Sequence, residues 1–148
     1  MVMAQITVST PRILVVEDDD ADLELLVEAL DETLFDHELE RCADGPSAIE
    51  LLDDVRAGRR PSPDLVLLDL DLPGLDGCEV LRAIKRDERL RRTPVVMLST
   101  SAADDDIVRC LGDHANSYVV KAPTFSRFLA DVDAIVRYWL DVAARPAC

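Results

Sequence analysis

Residues 65–77 read LVLLDLDLPGLDG. Leu65, Val66, Leu67 and Leu68 run without a polar interruption and end on a carboxylate, Asp69. A strand with one wet face alternates apolar and polar residues, so an unbroken run suits a strand buried on both faces of a parallel sheet. The next residues, from Asp71 through Pro73-Gly74 to Asp76-Gly77, carry turn chemistry. On either side of this stretch, ILVV at 13–16 precedes Glu17 and Asp18, and VVML at 95–98 precedes Ser99 and Thr100. Tyr118–Val120 is a shorter run before Lys121, and HELERC at 37–42 is polar enough to read as an edge strand. The runs start at 13, 37, 65, 95 and 118, which are 24, 28, 30 and 23 residues apart. A strand, a loop, a helix and a second loop consume about that length.

The intervening segments carry apolar residues at three- and four-residue steps. They predict helices over 22–34, 47–55, 78–86 and 104–111, and a longer one over 125–143 with Phe128, Val132, Ile135 and Trp139 on one stripe. Pro61, Pro63 and Pro94 precede strands, where a helix must already have ended. The pattern predicts one (βα)5 domain, a three-layer α/β/α sandwich around a parallel sheet. A chain of 148 residues is long enough for one such core.

Composition narrows the function. Thirty Asp and Glu against 16 Lys and Arg leave a formal net charge of −14, which disfavours nucleic acid and anionic membrane as partners. No apolar run approaches the length of a membrane span, and the first ten residues lack the basic and apolar regions of a secretory signal. Cys42, Cys78, Cys110 and Cys148 are widely separated without a CxxC pair and read as reduced thiols of a cytoplasmic protein.

In an open parallel sheet, ligands bind beyond the carboxyl ends of the strands. Those ends bring together Glu17 and Asp18, Asp69 with Asp71 nearby, Ser99, and Lys121. Three carboxylates held together repel, so one must be protonated or a cation must sit among them. Oxygen-only ligation favours Mg2+, which keeps waters and shares its shell with phosphate. Asp69, flanked by apolar residues at the centre of the group, is the best-placed nucleophile for an acyl phosphate.

These stretches, VVEDDDAD at 15–22, LVLLDLDLPGLDG at 65–77, PVVMLSTS at 94–101 and ANSYVVK at 115–121, resemble the receiver domain of two-component response regulators. The resemblance implies a flavodoxin-like sheet of order 2-1-3-4-5. It implies Asp69 as phosphoacceptor, Glu17 and Asp18 as the acidic pair for Mg2+, and Asp71 as donor of a backbone carbonyl to the metal. It makes Ser99 the switch hydroxyl, Tyr118 the switch aromatic and Lys121 the phosphate-binding amine. The phosphoryl donor would be a sensor histidine kinase. Glu17-Asp18, the long last helix and RYWLDVAARP at 137–146 are similar to single-domain regulators that accompany phytochrome-type kinases. The expected organisation is an N-terminal extension over 1–10 and a receiver over 11–144 without a separate output domain. Such a protein is a signalling phosphoacceptor rather than an enzyme, and its output passes to a downstream phosphotransfer or effector protein. A module of the same fold that binds partners without phosphorylation is the alternative. Strand order argues against a haloacid-dehalogenase-like hydrolase, and Glu17-Asp18 against a flavin phosphate loop.

One position departs from the family. Lys121 precedes Ala122 where the family has proline after a cis bond. A cis bond before alanine costs about 2.5–4 kcal/mol, so the expectation is a strained cis bond or a rearranged loop. Tyr138, Trp139 and Leu140, near the end of the last helix, are expected to outrun the sheet and form a homodimer contact. Other carboxylates read as helix-terminal charge: Asp19, Asp20 and Asp104–Asp106. His37 and His114 are isolated, and the six basic residues over 82–92 read as a solvated helix end or, alternatively, a docking patch for an acidic partner.

Overall fold

The computed structural model describes residues 9–146. Of the expected N-terminal extension, residues 1–8 lie outside the described residues, as does Cys148. Five strands, β1 (Arg12–Val16), β2 (Glu38–Cys42), β3 (Leu65–Leu68), β4 (Val95–Ser99) and β5 (Ser117–Val120), form one parallel sheet in the order β2-β1-β3-β4-β5. Five helices connect or follow them: α1 (Asp20–Glu32), α2 (Gly45–Arg56), α3 (Gly77–Arg86), α4 (Asp104–Gly112) and α5 (Phe125–Val136). This is the flavodoxin-like order.

The side-chain alternation of the central strands explains their unbroken apolar runs. Leu14, Val16, Val66, Leu68, Val95 and Met97 pack on one face with α2 and α3. Ile13, Val15, Leu65, Leu67, Val96 and Leu98 pack on the other with α1 and α5. HELERC lies at one edge of the sheet, as its polarity predicts. No helix among the described residues is long and apolar enough to cross a membrane.

Caps set the helix starts. Asp19 accepts from the Asp22 amide at 2.9 Å, and α1 begins at Asp20, two residues before the start expected at 22. Asp76 and Glu79 form a reciprocal capping box on α3. At α4 the acidic residues do not cap: Ala103 occupies that position, and Asp104–Asp106 supply first-turn charge to the helix dipole.

The C-terminal helix departs from expectation. It is α-helical only to Val136 and continues as a wider π-turn over Arg137–Val142, with the Ala143 amide bonding the Tyr138 carbonyl at 2.7 Å. Leu140 is buried against α1 and α5, and Trp139 is half-buried, its ring meeting Tyr138 edge-on at 4.8 Å. The exposed apolar side chains here are Tyr138 and Val142. The basic segment is partly absorbed into the fold as well. Lys85 donates to the carbonyls of Arg91 and Thr93 and to Asn116 Oδ1 at 2.9–3.1 Å, and Arg82 pairs with Asp113.

Candidate functional site

The four strand ends named by the sequence meet at one edge of the sheet. Asp69 and Glu17 are held there by backbone as much as by side chain. The Asp69 amide donates to the Val16 carbonyl and the Glu17 amide to the Cys42 carbonyl, each at 3.0 Å, continuing the strand ladders by one residue. Both carboxylates are buried, at 8% and 5% exposure, while Asp18 is exposed. Beneath the acceptor, Gly77 brings the start of α3 so close that a Cβ there would lie 2.1 Å from the Asp69 carbonyl oxygen.

One carboxylate oxygen from each of Glu17, Asp18 and Asp69 lies within 4.8 Å of the others. The donor set is all hard oxygen, with no thiolate or imidazole, and fits a divalent cation of the Mg2+ or Mn2+ class. Asp71 is exposed beside it, its amide 3.3 Å from Asp69 Oδ1.

Lys121 is the cation present. Its amide bonds the Ser99 carbonyl at 2.7 Å, and its Nζ lies 2.9 Å from Glu17, 3.0 Å from Asp22 and 3.5 Å from Asp69. Burial lifts the Glu17 carboxyl to about 7; the Lys121 partnership opposes that rise and neighbouring Asp69 adds to it. Burial works against charge on Lys121 too, yet the carboxylates around it win and hold the ammonium above the ordinary lysine range. Among the described residues no peptide bond is cis, so the Lys121–Ala122 bond is trans and the cis expectation is corrected. The trans form is the one favoured before a non-proline residue, and Lys121 still reaches the acceptor from it. Ala122 packs against the α1–α5 side of the core.

Ser99 and Thr100, adjacent at the end of β4, differ in burial. Ser99 is fully buried and its Oγ accepts from the Ser101 amide at 3.1 Å, whereas Thr100 is exposed. Ser101 in turn donates to Asp106 at 2.6 Å, tying the β4 end to α4. Tyr118 is half-buried and donates its phenol to the Ser101 carbonyl at 2.8 Å. The candidate hydroxyl and the candidate aromatic are therefore linked through one short loop.

Two residues not singled out in the sequence belong here. Asp22, in the first turn of α1, shares Lys121 with Glu17. It stands in the first turn of a helix that begins directly after the Glu17-Asp18 pair, which is the signal available in sequence. Arg41, at the end of β2, donates to the carbonyls of Glu17 and Asp18 at 3.0 and 3.3 Å and to Asp20 at 2.8 Å. It staples the acidic loop to the neighbouring strand. An arginine in a polar edge strand carries no local mark of that task.

Comparison with known proteins agrees with this geometry. A family model described as "Response regulator receiver domain" matches residues 13–133. The chain is 44% identical over 128 residues to the probable methanogenesis regulatory protein FilR2 of Methanothrix harundinacea, covering 86% of this chain and 83% of that protein. It is 40% identical over 136 residues to response regulator Rcp1 of Synechocystis, covering 91% and 92%. The Mn2+-bound crystal structure of Rcp1 superposes with a TM-score of 0.84 at 39% identity, over 93% of this chain and 99% of that one. The phosphorylated cyanobacterial phytochrome response regulator RcpA superposes with a TM-score of 0.87 at 40% identity, over 94% and 100%.

Proposed function

The chain belongs to the response regulator receiver family, and we propose accordingly that Asp69 accepts a phosphoryl group from a phosphohistidine of a sensor histidine kinase. Similarity to phytochrome response regulators supports a kinase of the phytochrome type. A carboxylate oxygen of Asp69 attacks phosphorus as the P–N bond breaks. The bonding pair leaves with the imidazole nitrogen, and an aspartyl phosphate remains. Glu17, Asp18, Asp69 and the Asp71 carbonyl would hold Mg2+. When bound, the ion offsets charge that three crowded carboxylates and a phosphoryl group could not otherwise tolerate.

Lys121 supplies the remaining countercharge, its Nζ already within 3.5 Å of the acceptor. Ser99 would donate to a phosphoryl oxygen, and Tyr118, bonded to the adjoining Ser101 carbonyl, would repack as that loop moves. Phosphorylation thus shifts an equilibrium between two surfaces, read by a downstream phosphotransfer or effector protein. We also propose a homodimer through the last helix. Tyr138 and Val142 would provide its exposed apolar contacts and Trp139 a partly covered one, with Leu140 supporting from the core. The cytoplasm is where such a kinase domain would meet it.

The observation that supports the reading is the convergence of Glu17, Asp18 and Asp69 around one cation site with Lys121 beside it. The test is incubation with Mg2+ and acetyl phosphate, followed by intact-mass measurement. Wild type should gain one alkali-labile phosphoryl group and Asp69→Asn none. A wild type that gains nothing would leave the phosphorylation-independent module in its place. Light scattering at tens of micromolar, with and without a phosphoryl mimic, tests the dimer; a monomeric mass in both states refutes it.

A further inference from the structure

Lys121 is divided among three carboxylates, and the one from α1 differs in kind from the other two. Glu17 and Asp69 are buried at strand ends, whereas the Asp22 side chain is 38% exposed. Its distance to Lys121 Nζ, 3.0 Å, is nevertheless shorter than the 3.5 Å from Lys121 to the acceptor. Asp22 is not needed to cap its helix, because Asp19 does that through the Asp22 backbone amide. Asp22 and Lys121 line one side of a cleft of about 360 Å³, shared with Leu25, Thr100, Pro123 and Phe125, which Asp69 itself does not line. Glu17 and Lys121 are therefore the side chains common to the open cleft and the buried acceptor cluster, and Lys121 is the cationic one.

Resting on the phosphoacceptor reading above, we propose that Asp22 determines which phosphodonors the site accepts. Its carboxylate occupies the Lys121 ammonium and adds a fourth negative charge, so that small dianionic donors are disfavoured against less charged ones. A phosphoryl oxygen arriving at Asp69 must compete with the Asp22 oxygen for the Lys121 ammonium, two of whose three donors are already taken by Glu17 and Asp22. A free acyl phosphate has only its own charge with which to win that competition, and it meets repulsion from Glu17, Asp18 and Asp22 on the way. A donor carried on a protein draws binding energy from contacts remote from the phosphoryl group and can offset the cost. Asp22 thus favours the cognate protein over small-molecule phosphorylation.

The experiment compares initial rates of Asp69 phosphorylation near pH 7, with Mg2+ at saturation, by acetyl phosphate (a dianion there) and by phosphoramidate (mostly a monoanion there). Asp22→Asn keeps the shape and removes the charge; Asp22→Ser does the same with a smaller group if the first variant folds poorly. Removing one exposed charge a few ångströms away is expected to raise the acetyl phosphate rate about three- to tenfold and the phosphoramidate rate less, so the ratio between donors shifts. Added salt should accelerate the wild type more than the variant with acetyl phosphate. A phosphorylated wild type whose Asp22→Asn rates are unchanged, lowered, or raised equally with both donors overturns this inference alone. A wild type that neither donor modifies overturns the parent reading as well.

Discussion

Gly77→Ala is the sharpest steric perturbation the structure offers, because it acts on the acceptor through backbone alone. An alanine Cβ would lie 2.1 Å from the Asp69 carbonyl oxygen and 2.8 Å from Leu70 Cα, and Cβ atoms essentially never come within 3.0 Å of another group. The oxygen contact alone requires a separation of at least 0.9 Å (3.0 less 2.1) between the start of α3 and the end of β3. Neither side gives easily. The Gly77 amide bonds the Leu70 carbonyl at 2.8 Å, and the Asp69 amide bonds Val16 across the sheet. Overpacking of this kind costs about 1–3 kcal/mol of stability. A reacting group moved by about 1 Å loses on the order of a hundredfold in rate. Urea unfolding and the initial rate of Asp69 phosphorylation measure the two effects on one preparation. Gly112→Ala is the control, since nothing lies within 4 Å of a Cβ there and its φ is not positive. That change should leave the rate untouched and stabilise the chain by up to about 1 kcal/mol. If Gly77→Ala unfolds and reacts like the wild type, the close approach of α3 to the acceptor does not hold Asp69 in place.

Other consequences are simpler to check. Titrating Mg2+ should raise the Tm of the wild type, equivalent to about 1.4 kcal/mol at ten times the Kd; Asp18→Asn should lose most of that rise in differential scanning fluorimetry, and an equal rise would remove Asp18 from the ligand set. Lys85→Met should cost about 2 kcal/mol in urea unfolding, since it leaves two carbonyls and Asn116 Oδ1 without their shared donor; a neutral effect would return Lys85 to the solvated surface. Cys78 and Cys110 are fully buried with sulfurs 3.4 Å apart, and burial pushes both thiols up, Cys110 to about 12. In a Cys148→Ala background they should resist a thiol-reactive disulfide reagent near pH 8 until urea is added; rapid native labelling would refute this.

Much of the fold is legible because local pattern and global position coincide in a doubly covered parallel sheet. ILVV, LVLL and VVML are continuous because both faces of their strands are buried, and HELERC is polar because it lies at an edge. Once those strands are placed, topology alone brings Glu17, Asp18, Asp69, Ser99 and Lys121 to one edge of the sheet. Where local pattern and environment part, sequence reasoning loses the thread. Leu140 belongs to an apolar stripe whose length predicts that it outruns the sheet, yet the π-turn after Val136 leaves it against the core. Lys85 looks like one of six surface cations and is instead a clip between α3, the start of β4 and the turn before β5.

The order of elements, the burial of the three central strands and the residues that must stand at their carboxyl ends are all written in the linear chain. Periodicity and the chirality of parallel connections leave little freedom in any of these. How the single ammonium of Lys121 is shared is settled only in the folded molecule. Its partners Glu17 and Asp22 lie 104 and 99 residues away in the chain. Asp19, Asp20 and Asp22 are the same residue type within one helical turn, and one caps, one pairs with Arg41 and one competes for Lys121. Ion pairing depends on distances of a few ångströms between side chains of remote segments, and no local pattern records those distances.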